Sequence, residues 1–301
     1  MHDSYLRGIP WQYFMEFISP EADRFSLLNK IISLAGLEHR VLEIAGNRHF
    51  LIAPALLPGR EALPSGKRTL LVAHYDRAQG SPGANDNSAG VFLLAETAMK
   101  LKNSGADNWM VIFTDKEELK TGESLLAQGS YTLALALKNR EAGKSRIFSF
   151  DACGAGDTLI ISTTAEYLLK GEPGGEKLQK SVMELRQSAL NTARELGMAK
   201  VLLAPTPFSD DAGFFRAGLA AQTITMLPSR ECIQLVAELR KNPDFADILI
   251  NAELRQNSRA FRDASIPETW RSLNGPGDSH LRLTPEHFHT VVRFAEALCR
   301  G

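Results

Sequence analysis

The sequence predicts an α/β fold, a three-layer sandwich around a central mixed sheet that is mostly parallel. Two observations support this prediction. Short apolar segments of strand composition alternate with longer segments of helical period through most of the 301 residues, as in sheets covered by helices. Several apolar segments run directly into His, Asp or Glu, and open α/β sheets keep their active sites at such strand ends. No repeat or low-complexity linker divides the sequence, so we expect one domain over residues 1–301.

The predicted strands are short apolar segments bounded by polar or turn-forming residues. They lie at Val41–Ile44, Phe50–Ala53, Thr69–Ala73, Trp109–Thr114, Ile147–Phe150, Thr158–Ser162, Val201–Ala204 and Gln222–Leu227. The predicted helices follow from apolar positions at helical spacing. They lie within Pro20–Leu37, Ala89–Leu101, Ser124–Leu137 and Glu176–Leu196, with helical stretches through Arg262 and a last helix from Pro285. Pro54–Arg68, with three prolines and two glycines, is predicted to be a loop, and Pro205–Gly213 to be rich in turns.

Composition and charge argue against several classes of protein. The 34 Lys and Arg against 35 Asp and Glu give a net charge of −1, so no basic excess is present to bind a nucleic acid. Three scattered cysteines are too few for a disulfide framework or a cysteine-rich zinc site. The first residues lack the pattern of a signal peptide, and no apolar run approaches the ~18 residues of a membrane span. We expect a cytoplasmic protein without a membrane or nucleic-acid partner; the sequence does not indicate its oligomeric state.

Metal-type side chains stand at the ends of predicted strands. His74 and Asp76 follow one strand, and on extended backbone residues two apart point the same way. His74 would bind a metal while Asp76 orients its ring, although a plain His–Asp hydrogen bond explains the pair equally well. Asp86 lies among small residues in GANDNSAG, where it would reach an ion or simply cap the following helix.

Two further strand ends supply carboxylates. Glu117 and Glu118 come shortly after the strand WMVIFT; one would face a metal and the other would take a proton from water. Two acids in a charged loop is the plainer interpretation of this pair. Asp151 ends another strand, where a buried carboxylate needs a metal, an Arg or backbone N–H groups as its partner. His, Asp and Glu together suit zinc and similar divalent ions.

The order HxD, GAND, EE and D after successive strands resembles the clan of co-catalytic zinc metallopeptidases that contains bacterial leucyl aminopeptidase, glutamate carboxypeptidase and the glutaminyl cyclases. The resemblance extends over most of the chain, from about residue 27 to residue 298. It implies the zinc-dependent exopeptidase fold, an α/β sandwich around a mixed eight-stranded sheet. It also implies that Glu117 is a general base and that Asp76 orients the ring of His74.

The same resemblance implies a metal centre. Matched position by position, His74, Asp86 and Asp151 would bind one ion. Asp86 would bridge to a second ion held by Glu118. The cofactor implied is Zn²⁺, as one or two ions, with Mn²⁺ or Co²⁺ as alternatives, and the substrate implied is a peptide.

The chain departs from the family pattern late in the sequence. Family members carry one more ligand, the His of an H-T-x-x-D stretch that follows a Trp. Alignment on Trp270, Asp278 and the LTPE run puts Asn274 at that position, and an Asn oxygen is a poor substitute for imidazole toward zinc. His280 is the nearby imidazole that a loop rearrangement would deliver. Asn274 and His280 are therefore both candidate ligands.

A second departure lies in the segment PFSDDAGFF. The family's common Ser-Asp-His is replaced by Ser209, Asp210 and Asp211. The added acid would alter substrate preference, offer another metal contact or form a solvent-exposed cap of the following turn.

Three functions follow from these residues. The favoured one is a metal-dependent exopeptidase, an aminopeptidase that hydrolyses N-terminal residues from peptides through Glu117. The second is a glutaminyl-peptide cyclotransferase-like enzyme, which the long segment before Gly129 and Ser130 favours and the missing late His opposes. The third is a non-catalytic peptide-binding protein with an incomplete second metal site, which Asn274 supports and the retained Glu117 opposes.

Overall fold

The computed structural model describes residues 6, 8–56, 68–120, 122–138, 140, 144–250 and 266–300. Within these residues one sheet of eight strands forms the centre of the molecule. In chain order the strands are β1 (His39–Ile44), β2 (Asn47–Ile52), β3 (Thr69–His74), β4 (Trp109–Thr114), β5 (Arg146–Phe150), β6 (Thr158–Ser162), β7 (Val201–Ala204) and β8 (Ala221–Leu227). Their spatial order is β1-β2-β4-β3-β5-β8-β6-β7.

The sheet is mixed, with a parallel centre. β3 runs parallel to β4 and to β5, and β5 runs parallel to β8. β6 and β7 are parallel to each other but antiparallel to β8. The hairpin β1–β2 joins antiparallel to β4. The predicted fold class, a mixed and mostly parallel sheet, is therefore confirmed.

Helices cover both faces of the sheet. In chain order they are α1 (Trp11–Phe17), α2 (Arg24–Leu34), α3 (Gly90–Asn103), α4 (Gly129–Lys138), α5 (Ala165–Leu168), α6 (Gly175–Glu195), α7 (Asp210–Ala217), α8 (Ser229–Lys241), α9 (Phe245–Ile250), α10 (Glu268–Arg271) and α11 (Phe288–Arg300). Alternate side chains of a strand point to opposite faces. Leu71 and Ala73 of β3 pack with α1, α2, α3 and α11, whereas Leu70 and Val72 pack with α4 and α7. These two cores make the three-layer sandwich.

The observed strands agree with the predicted ones within three residues at each end. Among the described helices, α1 and the short helices α5 and α10 were not predicted. A fourth helix, α7, begins inside Pro205–Gly213, which was expected to be rich in turns. Its Ser-Asp-Asp start resembles a turn, but acids in a first helical turn are favourable, and Phe214 is buried against the core. Residues 57–67 and 251–265, which hold most of the predicted loop and the end of the predicted helical stretch, lie outside the described residues. Among the described helices, none has the length and apolar character needed to cross a membrane.

Candidate metal centre

Three neighbouring parallel strands end at one edge of the sheet, and the candidate site lies there. His74 is the last residue of β3 and pairs in register with Thr114, the last residue of β4. Asp151 follows directly after β5, which flanks β3 on its other side. The carboxyl ends of parallel strands lie at the same edge of the sheet. His74 and Asp151, which are far apart in sequence, therefore lie close together there.

His74, Asp86 and Asp151 lie close together, and we call these three residues the metal-type group. Nε2 of His74 lies 3.0 Å from Oδ1 of Asp86 and 3.5 Å from Oδ1 of Asp151. One ligand atom from each residue lies within 4.8 Å of the others, and the imidazole is 0% exposed. Burial by itself favours the neutral ring, but the carboxylates of Asp151, Asp76 and Asp86 outweigh it and hold the pKa of His74 well above its usual value.

This group fits a zinc ion. Ligand atoms around a tetrahedral zinc lie about 3.3 Å apart, since the bonds are ~2.0–2.1 Å long, and both measured distances from Nε2 are close to that spacing. Among the described residues, none is aligned with Nε2 of His74 or Oδ1 of Asp151 as a hydrogen-bond partner. A His with two carboxylates leaves a fourth position for water, as in catalytic zinc sites. A bound cation would replace the proton that the carboxylates otherwise hold on His74.

Asp76 connects this group to the two glutamates. Its Oδ1 accepts the backbone N–H of Glu117 at 3.1 Å, and its Oδ2 accepts that of Glu118 at 3.0 Å. Oδ1 also lies 3.3 Å from Nδ1 of His74. Burial raises the pKa of Asp76, but His74 and the two N–H groups lower it further, so it lies below its usual value. Asp76 is thus placed to orient the imidazole, and it positions both glutamates as well.

Asp86 lies in a tight turn, Ala84–Ala89, and Asp278 binds the backbone of this turn. Oδ1 of Asp278 accepts the backbone N–H of Asn85 at 2.8 Å, and its Oδ2 accepts that of Asp86 at 3.0 Å. Its carbonyl accepts the N–H of Ala84 at 3.3 Å. Burial, and then the charge of Asp86, raises the pKa of Asp278 to about 7. The late loop that carries Asp278 is thereby attached to the turn that carries Asp86.

Arg24, at the start of α2, joins the same turn to the loop after β3. Its guanidinium donates to the carbonyl oxygen of Asp76 at 2.6 Å and to that of Gly83 at 3.3 Å, and also to Oγ of Ser88. The guanidinium carbon lies 4.3 Å from the centre of the Phe17 ring. Burial lowers the pKa of Arg24 to about 9, so this buried group stays positively charged at neutral pH beside the carboxylates.

Glu117 is buried beside the metal-type group, and the described residues give one hydrogen bond to its carboxyl group. Nε2 of Gln128 donates to its Oε1 at 3.1 Å, and Oγ of Ser130 donates to Oε1 of Gln128 at 2.9 Å. Burial raises the pKa of Glu117 well above its usual value; His74 opposes this shift, and the neighbouring carboxylates add to it. A carboxyl with a raised pKa, near the metal-type group, has the properties of a general base.

Asn274 lies against Glu118 and Asp86. The amide is assigned with its nitrogen toward them, because its oxygen would otherwise face only acceptors. In that orientation the nitrogen lies 2.6 and 3.1 Å from the two oxygens of Glu118 and 3.0 Å from Oδ2 of Asp86, so that one N–H is shared by the Glu118 carboxylate and the other is donated to Asp86. The structure does not bring the other candidate, His280, into this group. His280 is half-buried in a short 3-10 turn, and within the described residues no hydrogen bond or ion pair joins its imidazole to these carboxylates.

The two acids at the start of α7 face different surroundings. Oδ2 of Asp210 accepts a hydrogen bond from Oγ1 of Thr114 at 2.8 Å, and Asp210 is close enough to the site for its charge to act on Glu117. Oδ1 of Asp211 instead accepts the N–H of Ser209 at 3.1 Å. Burial raises the pKa of Asp210 to about 7 and that of Asp211 to about 6. Both are buried, so a solvent-exposed cap, one of the expected alternatives, is wrong.

Three residues that position the site were not assigned roles from the sequence. Arg24 stands one turn before Leu28 and in line with it on the apolar face of α2, and a charge on such a face was the available signal. Asp278 was used to align the late segment of the chain, but no role was predicted for it. Nothing in a single sequence marks Gln128 as part of the site, because its contact with Glu117 depends on the tertiary structure.

Comparison with known proteins identifies the family. The family model described as Peptidase family M28 matches residues 55–246, more than half of the chain. This protein belongs to peptidase family M28. The assignment confirms the predicted membership of the co-catalytic zinc metallopeptidases, a class of hydrolases. The matched residues include all the candidate site residues except Asn274 and His280. No curated protein sequence matches the chain significantly.

Solved structures share the fold. The zinc aminopeptidase BSAP from Bacillus subtilis superposes with a TM-score of 0.51 at 20% identity, over 83% of this chain and 49% of that one. LapA aminopeptidase from Legionella pneumophila superposes with a TM-score of 0.63 at 12% identity, over 99% of this chain and 73% of that one. A glutaminyl cyclase from Bacteroides thetaiotaomicron superposes with a TM-score of 0.60 at 14% identity, over 96% of this chain and 95% of that one. The M28 chain thus spans about half the length of BSAP, and at these identities the likeness concerns the fold.

Proposed function

We propose that this M28 protein is a metal-dependent exopeptidase that removes N-terminal residues from peptides, an aminopeptidase. One observation carries the proposal. The metal-type group, His74, Asp86 and Asp151, lies at the same sheet edge as the carboxyl group of Glu117, which Gln128 holds. A divalent ion at this group, Zn²⁺ first and Mn²⁺ or Co²⁺ as alternatives, supplies a lowered pKa for water and polarises the scissile carbonyl. Family membership supports a peptide as the substrate.

The chain's own residues supply the proton transfers. Glu117 accepts a proton from the attacking water and returns it to the leaving amine. Gln128 holds Oε1 of Glu117, which leaves Oε2 to exchange the proton. Asp76 holds the ring of His74 and the backbone N–H groups of Glu117 and Glu118 in fixed relative positions. Burial and neighbouring carboxylates raise the pKa values of Glu118 and Asp86, and a cation beside them favours their charged forms. These two carboxyl groups would therefore hold the positively charged amino terminus of a peptide.

The test is hydrolysis of aminoacyl p-nitroanilides by the metal-loaded protein, beside a Glu117→Gln variant whose metal content is measured in parallel. We expect the variant to keep its metal and to lose about 10²–10⁴-fold in kcat, the usual contribution of a positioned base. N-acetylated anilides of the same residues serve as matched substrates and should be poor. Equal turnover by Glu117→Gln, or equal use of the acetylated substrates, would contradict the proposal.

The second candidate, a glutaminyl-peptide cyclotransferase, rests on the long segment between Glu118 and Gly129. It predicts release of ammonia from peptides with N-terminal Gln, without hydrolysis of anilides. The third candidate, a non-catalytic peptide-binding protein, predicts neither reaction in metal-loaded protein. The same preparation therefore separates the three functions.

A further inference from the structure

Asp86 uses its two oxygens in different ways. Oδ1 lies 3.0 Å from Nε2 of His74, whereas Oδ2 accepts a hydrogen bond from the amide of Asn274 at 3.0 Å. The same amide donates to Glu118 at 2.6 and 3.1 Å. A carboxylate that bridges two cations would offer one oxygen to each. Here the second oxygen is committed to a neutral side chain.

The group around Asn274 does not fit a second zinc ion. Asp86, Glu118 and Asn274 provide only oxygen atoms, and one of them is neutral, whereas zinc favours sites that include imidazole or thiolate. An amide nitrogen has two N–H groups and suits two carboxylates directly. A cation at this position would require the opposite orientation of the amide, with its oxygen toward Asp86 and Glu118, in which none of these hydrogen bonds forms.

The loop holds Asn274 firmly in this position. Its φ of 62° lies in the left-handed region, which Asn adopts more readily than most residues. Four residues later, Asp278 accepts the backbone N–H groups of Asn85 and Asp86. Asn274 and its partner Asp86 are therefore fixed relative to one another from both ends of the contact.

We propose that the Asn274 amide closes the second cation position, so that this protein holds a single divalent ion, at His74, Asp86 and Asp151. The inference rests on the proposed function for the identity of the ion, but it concerns binding and not turnover. It assigns Asn274 the role of a neutral hydrogen-bond donor that replaces a cation between Glu118 and Asp86. It leaves the centre more negative than one with two ions, which favours a substrate with a free ammonium group.

The experiment counts zinc ions per chain over a range of buffered free zinc, by native mass spectrometry and elemental analysis, in the absence of substrate. Three variants accompany the full-length protein. Asn274→His adds an imidazole, and Asn274→Gly removes the amide without strain at positive φ. His280→Ala removes the other imidazole of this region. We expect one ion for the unaltered protein and for His280→Ala. For Asn274→Gly we expect a weak second ion at high free zinc, because the amide is gone but no ligand replaces it; the same occupancy as in the unaltered protein would overturn the inference.

Asn274→His is expected to bind two ions, with the second at least ~100-fold tighter than any second ion in the unaltered protein, because it restores a nitrogen ligand. Two ions of similar affinity in the unaltered protein would overturn the inference, and their reduction to one in His280→Ala would assign that ligand to His280. One ion in Asn274→His would also overturn it, since the amide would then not be what excludes the ion. Failure of the proposed function appears elsewhere, as a protein that binds zinc and does not hydrolyse the anilides.

Discussion

The side-chain amide of Gln128 donates a hydrogen bond to Oε1 of Glu117 at 3.1 Å. The hydroxyl of Ser130 donates to the oxygen of the same amide at 2.9 Å and so supports this orientation. Gly213 of α7 packs so closely on this pair that a Cβ there would collide with both side chains. The close approach of α7 thus fixes the positions of Gln128 and Ser130 beside the candidate base.

Replacement of Gln128 by Leu should lower kcat by roughly 10–100-fold, because a hydrogen bond to a charged partner contributes about 1.5–3 kcal/mol. KM and zinc content should stay within about threefold, since Gln128 does not contact the metal-type group. The measurement is steady-state anilide hydrolysis with metal analysis of each sample. Ser130→Ala, which removes only the group that orients the amide, should show a smaller loss. An unchanged kcat in Gln128→Leu would mean that Glu117 holds its position without this contact.

Replacement of Asp76 by Asn should weaken zinc binding by about 10–100-fold, the usual cost of losing the partner of a metal-bound histidine. Asp76 uses both oxygens on backbone N–H groups, and an Asn has only one oxygen to offer. Zinc affinity is measured by competition with a chromophoric chelator.

The matched control for that variant is Asp115→Asn. Asp115 is a neighbouring carboxylate that accepts the N–H of Arg48 at 3.1 Å and is not in the metal-type group. Its zinc affinity should stay within about threefold of the unaltered protein. An equal loss in both variants would show a general effect of negative charge and would refute a specific role for Asp76.

Replacement of Arg24 by Met should lower the free energy of unfolding by about 3 kcal/mol, because it removes the donor to the buried carbonyl oxygen of Gly83 and to the part-buried one of Asp76. Lys30→Met, on the exposed side of the same helix, should change it by about 0.5 kcal/mol or less. Urea denaturation of the metal-free proteins gives both values. Equal losses for the two variants would show that Arg24 stabilises only helix α2.

His49 should make stability depend on pH. Burial lowers its pKa from 6.5 to about 4, and its Nδ1 accepts the N–H of Asp115 at 3.2 Å. The unfolded chain therefore binds more protons between these two values. Stability from this residue is complete above about pH 6.5 and falls as the pH drops toward 4, by about 3 kcal/mol at most.

A His49→Asn variant keeps an acceptor for Asp115 but does not titrate. Urea denaturation at pH 7.5 and at pH 5 should show a smaller loss for His49→Asn than for the unaltered protein. Equal losses in the two proteins would place the pH dependence on other groups.

Local sequence patterns were sufficient for the elements and the fold class. The strands that lead to His74 and Asp151 are mostly apolar on both faces, and their burial in a parallel sheet follows from that composition. Helix α7 was missed because its Ser-Asp-Asp start is compatible with either a turn or a helix. The choice depends on the packing of Phe214 against the core, which is a contact across the fold.

Candidate metal ligands could be proposed from the sequence, because zinc chemistry limits the side chains that can serve. What only the tertiary structure decided is which of them meet. Asn274, not His280, lies against Glu118, because the hydrogen bonds of Asp278 to a turn nearly 200 residues earlier set the path of the late loop. Loop geometry of this kind depends on partners distant in sequence, and no local pattern records them.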